Sequence, residues 1–197
     1  MGAVSPIPEG SVLPQTYEYE FGTARDTIVT RAQAAMDKVL ATAWAGRAAD
    51  TGLASPREAV ILASIVERET ARPEERSHVA AVYLNRLRLG MRLQADPTVV
   101  YSASGGAGVL DHPLARADLD RDGPFNTYRS AGLPPAPICS PSAASLDAVL
   151  HPLASSDLFF VADGSGGHVF SQGLEAHNAA VARWRAQSPR PPHGSAD

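Results

Sequence analysis

Apolar residues recur at Ile28, Val29, Ala32, Ala35, Met36, Val39, Leu40, Ala43 and Trp44 with the three-and-four spacing of one helix face, which predicts an amphipathic helix to about Trp44. Thr23-Ala24-Arg25-Asp26 reads as a capping box at its start. A different pattern follows from Ala59 to Val66, a stretch without charge and apolar on every face, which marks a helix buried in a core. Ser55-Pro56-Arg57-Glu58 fixes where that helix begins: the Ser55 hydroxyl caps an orphan N–H, Glu58 reaches back and Pro56 takes the first turn. The apolar run ends at Glu67, which Arg68 and Glu69 follow at once.

Pro73 opens a further helix, along which Val79, Val82, Tyr83, Arg86 and Leu87 form a stripe until Gly90 stops it. Asp96-Pro97 caps a short helix through Tyr101. Tyr17-Glu18-Tyr19-Glu20-Phe21 alternates with a period of two and predicts a short strand. Leu158 to Ala162 has a buried-strand pattern, and Asp163-Gly164-Ser165-Gly166-Gly167 turns it back into His168-Val169-Phe170. Ser140-Pro141 is placed to cap a helix from Ser142 to Leu150, and Ser171 to cap a last helix carrying Leu174, Ala180, Val181 and Trp184. Residues 122–142, rich in proline and glycine, read as an irregular stretch, either functional or disordered. The fold class expected is α+β. One mainly helical domain over 16–186 carries a small antiparallel sheet including a hairpin near 158–170. An extended lead-in at 1–15 precedes it and a mobile tail at 187–197 follows.

The 197 residues suit one domain, and 44% hydrophobic with 19% charged residues is ordinary globular usage. With 17 basic and 21 acidic residues and no basic block, a nucleic-acid partner is disfavoured. Cys139 is the single cysteine, which excludes an internal disulfide and any cysteine-based zinc site. No apolar stretch approaches the ~20 residues of a membrane span, and Met1 to Gly10 lacks the regions of a secretory signal, so the chain reads as soluble without an export address.

The candidate chemistry starts at Glu67. A carboxylate ending an apolar helix is desolvated on one side, which raises its proton affinity and lets it act as an acid near neutral pH. Its face holds Val60, Ala63 and Ser64, small neighbours that leave room for a ligand, whereas Glu69 stacks over Ile65 and leads toward Arg72. The plainer alternative is that Glu67 ends a core helix and pairs with an arginine. Gln94 and Asp96 gather polar groups after a helix end, although capping alone explains Asp96. Asn126 and Tyr128 can hydrogen-bond a sugar, and turn chemistry accounts for Asn126 equally well. His177 reads as a site edge or a surface residue, and His168 as a cleft residue or a structural contact. The histidines lack metal-binding spacing and no G-x-S-x-G elbow is present.

Ordered blocks across roughly 170 residues resemble the endolytic murein transglycosylase family, also called MltG or YceG-like. They run from Pro8-Glu9-Gly10 through Ala63-Ser64-Ile65-Val66-Glu67-Arg68-Glu69-Thr70 and Asn85-Arg86-Leu87 on to Leu93-Gln94-Ala95-Asp96-Pro97-Thr98. Further blocks are Arg116-Ala117-Asp118-Leu119, Asn126-Thr127-Tyr128, Gly132-Leu133-Pro134-Pro135, Phe160-Val161-Ala162-Asp163-Gly164 and His177-Asn178. Ala136, Cys139 and Ser142 depart from the family's loop pattern. The resemblance implies an enzyme that cuts peptidoglycan glycan strands internally between N-acetylmuramic acid and N-acetylglucosamine, leaving 1,6-anhydro ends.

It puts the catalytic carboxyl on Glu67 and substrate-groove residues at Gln94, Asp96, Asn126 and Tyr128. No metal or cofactor is implied. It further implies extracytoplasmic action at the periplasmic face of the inner membrane, with cell-wall synthesis enzymes as partners and membrane attachment only through a segment upstream of Met1. The rivals are an inverting hydrolase using Glu67 and Asp96, and a non-catalytic peptidoglycan-binding module.

Overall fold

The computed structural model describes residues 6–187; the proposed mobile tail beyond Gln187 lies outside the described residues. The helices are α1 (Arg25–Ala45), α2 (Pro56–Glu69), α3 (Arg76–Arg88), α4 (Asp96–Ala103), α5 (Arg116–Asp120), α6 (Ala143–Leu150) and α7 (Leu174–Gln187), with strands β1 (Phe159–Ala162) and β2 (His168–Ser171) between the last two. The α+β reading holds.

Helix α2 runs through the middle. Every residue from Ala59 to Val66 is buried, and α1, α3, α4 and α6 pack around it. Met36, Tyr83, Leu93, Leu146 and Val149 complete this core, where each large apolar side chain stabilises by roughly 1.5–3 kcal/mol. The predicted start is present: Ser55 Oγ accepts from Glu58 N at 3.3 Å, and Glu58 Oε2 accepts from Ala54 N at 2.7 Å. A 3₁₀ turn at Pro73–Glu75 joins α2 to α3, and Gly90 ends that segment at φ +67°, a conformation that costs glycine little.

The hairpin pairs Phe159 with Ser171 and Ala162 with His168, antiparallel. It is tied to the α2–α3 joint. Arg72 donates to Ser165 O at 2.7 Å, while Glu75 accepts from His168 N at 3.0 Å, from the His168 ring at 2.7 Å and from Thr70 Oγ1 at 3.2 Å.

Four local expectations are corrected. Tyr17 to Phe21 forms no strand; no neighbouring strand pairs with that backbone, and Tyr19 and Phe21 stand exposed. Thr23 does not cap α1, since Ala24 holds that position and the Thr23 hydroxyl turns back to Glu20 O. Helix α6 is capped by Ser142, not Ser140. Ser171 belongs to β2, so the capping role assigned to it is absent. Among the described residues no helix is long and apolar enough to cross a membrane.

Candidate active site

Glu67 and Glu69 both sit on the last turn of α2, but their surroundings differ. Glu67 Oε2 accepts three hydrogen bonds, from Ser142 N at 3.0 Å, Ser142 Oγ at 2.6 Å and Ser145 Oγ at 2.6 Å. Arg76 stands 4.0 Å from Oε1. Burial by itself would raise its pKa, but these donors and the guanidinium outweigh burial and hold the carboxyl below its usual range. The expectation of a tightly held proton at Glu67 is therefore corrected. On the same helix face the Ser64 hydroxyl accepts from Ile138 N at 3.0 Å and Cys139 Sγ lies 3.3 Å from Ser64 O, so the loop before α6 packs against Ser64, while the Glu67 side chain keeps 25% exposure.

The proton-retaining carboxyl is Glu69. Its Oε2 is shut off from solvent, as is the Tyr83 hydroxyl beside it; the two interact with each other, and neither makes a well-formed hydrogen bond to any other group. Burial is the largest cause and raises its pKa to about 7; Tyr83 and the Arg86 guanidinium oppose the shift, while the Asp96 carboxylate adds to it. Glu69 and Asp96 together line both an open cleft of about 300 Å³, shared with Arg68, Pro97 and Val100, and an inner chamber of about 130 Å³. Tyr83, Arg86, Gln94, Tyr128 and Phe160 help to wall the chamber.

The four residues expected to line a groove separate into two groups. Asp96 and Tyr128 meet: the phenol donates to Asp96 Oδ1 at 2.6 Å, and burial, followed by that contact, raises the Tyr128 pKa. Asp96 is the first residue of α4, not its cap, because Ala95 holds the cap position. Gln94 is exposed at the chamber, held at φ +52° while its N–H donates to Thr127 O at 3.1 Å. Asn126, by contrast, is buried at 1% exposure and faces inward. Its Nδ2 donates to Arg121 O at 2.7 Å and Leu119 O at 3.1 Å, and its Oδ1 accepts from Tyr128 N at 2.9 Å. Its amide holds the loop that carries Tyr128 and does not line the chamber with the other three.

Tyr83 and Arg86 were visible in the sequence only as members of the α3 stripe. A charged residue inside an apolar stripe was the available signal, since a buried cation needs partners. Arg86 donates to Leu158 O at 2.6 Å and Leu93 O at 2.8 Å, which binds the hairpin and the Gln94 loop to α3. His177 stacks on Phe159 at 5.1 Å behind Arg86, and burial with that cation lowers its pKa. His168 is the structural contact described above.

A helical domain with one hairpin before its last helix and an acid-lined cleft at the end of its central helix defines the class of protein. The sequence model of the YceG-like family matches residues 3–183, and the chain belongs to that family. It is 37% identical over 130 residues to an endolytic murein transglycosylase of Bacillus subtilis, covering 66% of this chain and 35% of that protein. It is 32% identical over 180 residues to one from Streptococcus pneumoniae, covering 88% and 32%. A crystal structure of a YceG-like protein from Listeria monocytogenes superposes with a TM-score of 0.74 at 34% identity, covering 86% of this chain and 54% of that one. The chain spans about a third of the length of the named relatives it matches.

Proposed function

We propose that this domain cleaves peptidoglycan glycan strands internally as a lytic transglycosylase, with Glu69 as its single acid and base. The observation that carries the reading is the Glu69 carboxyl, raised to about 7 by burial at the junction of cleft and chamber. Such a group gives up and regains a proton near neutral pH. Glu69 protonates the oxygen linking N-acetylmuramic acid to N-acetylglucosamine, and the C1–O bond breaks. The C6 hydroxyl of the same muramic acid then attacks C1, its proton passes to Glu69, and a 1,6-anhydro ring closes without consuming water. One carboxyl suffices, unlike the pair used by ordinary glycosidases.

Assigning this role to Glu69 leaves Glu67 to hold α6 through Ser142 and Ser145. Asp96, Tyr128 and Gln94 face the same space and are assigned to the saccharide. The substrate class places the action outside the cytoplasm, beside the enzymes that build the wall. Mass spectrometry of a digest of purified peptidoglycan tests the reading. Anhydro ends support it, whereas reducing ends one water heavier would mean that Asp96 serves as the base of an inverting hydrolase. Strand binding without any cleavage would make the domain a binding module.

A further inference from the structure

The inner chamber holds two buried polar groups with no other protein partner. Tyr83 is 1% exposed, and its hydroxyl and the Glu69 carboxyl beside it lie near enough to interact with each other, yet neither makes a well-formed hydrogen bond to anything else. Buried polar groups with unused donor or acceptor capacity cost free energy, and these two face one small space where a ligand group can satisfy what they leave unused. The space is about 130 Å³, room for roughly four water molecules. Its lining is mixed: Leu93 and Phe160 give an apolar wall, while Tyr83, Gln94 and Glu69 give donors and acceptors.

Building on the proposed reaction, we propose that this chamber is the subsite for the 2-acetamido group of the muramic acid whose C1–O bond is broken. The group matches the lining atom by atom in kind. Its N–H can donate to Glu69 Oε2, its carbonyl can accept from Tyr83 Oη or the Gln94 amide, and its methyl can rest on Leu93 and Phe160. C2 is the ring carbon next to C1, so its substituent is the one that a chamber adjoining the acid would meet. A hydroxyl would leave the apolar wall uncovered. A phosphate would meet the Glu69 and Asp96 carboxyls.

The test uses three preparations of the same glycan strands: native, chemically de-N-acetylated, and de-N-acetylated then re-N-acetylated. A site built to hydrogen-bond a group rejects analogues lacking it steeply, so de-N-acetylation is expected to lower kcat/KM by at least ~10²-fold and re-acetylation to restore it. Tyr83→Phe should lower kcat/KM by about tenfold more on native strands than on de-acetylated ones, the loss shared by both being its effect on Glu69. Equal cleavage of native and de-acetylated strands would overturn the subsite, as would the same proportional loss from Tyr83→Phe on both. If native strands are not cut at all, the transglycosylase reading fails instead. The chamber is then judged by strand affinity measured by fluorescence anisotropy, where the native preparation must bind more tightly than the de-acetylated one.

Discussion

Glu67 and Glu69 stand two residues apart on the last turn of α2 with proton affinities displaced in opposite directions. One carboxylate gathers three donors at the start of α6, and the other lies dry beside Tyr83. Hydrogen bonding wins at the first and desolvation at the second.

Glu69→Gln should keep the fold and lower the rate of anhydro-product release by at least ~10²- to 10⁴-fold, the usual worth of general acid catalysis. Glu67→Gln should lose less activity and more stability, about 1–3 kcal/mol, because its glutamine amide cannot accept as three donors require. Rates from mass-resolved digests and urea unfolding of both variants decide it. A larger rate loss at Glu67 would return the catalytic role to that residue.

Folding stability should carry the Glu69 signature in its pH dependence. Between its unfolded value near 4.5 and its folded value near 7 the native state binds more proton than the unfolded state, so stability falls as pH rises through this window. The full drop is about 3 kcal/mol. Glu67 and Glu75, both held low, lose their contribution at the acid end instead, as pH falls below the unfolded value. Urea unfolding at pH 5, 6 and 7 should show a slope in the native protein that Glu69→Gln flattens.

Asn126 and Tyr128 should separate structure from function. Asn126→Ala removes the buried amide that bonds Leu119 O, Arg121 O and Tyr128 N, and should cost about 2 kcal/mol by chemical denaturation. Tyr128→Phe removes one hydrogen bond at the mouth of the chamber, leaving stability within about 1 kcal/mol while raising KM several-fold in strand-cleavage assays.

The hairpin depends on Glu75. Glu75→Ala deletes its contacts to His168 and Thr70, and backbone amides of β1 and β2 should exchange hydrogen faster, with the unfolding free energy lowered by about 1–3 kcal/mol. Unchanged exchange at His168 would show that Arg72, Arg86 and α7 secure the sheet without Glu75.

Much of the fold was legible because the relevant physics is local. Ser55 and Glu58 cap α2 as their spacing requires, the run from Ala59 to Val66 is buried as its lack of polarity demands, and the glycine-rich turn after Asp163 makes the hairpin. Tyr17 to Phe21 misled because alternation licenses a strand only where a neighbouring strand supplies hydrogen bonds.

The sequence by itself determined the central buried helix, the acidic end where chemistry could reside and the family to which the chain belongs. Which carboxyl keeps its proton was decided only by tertiary structure. Proton affinity depends on donors, charges and water within a few ångströms: donors reach Glu67 from Ser142 and Ser145, far along the chain, whereas at Glu69 burial, with the Asp96 carboxylate adding to it, outweighs Tyr83 and Arg86. Spacing along α2 places the two side chains on different faces, but only the packing of α6, α3 and α4 makes one of those faces wet with donors and the other dry.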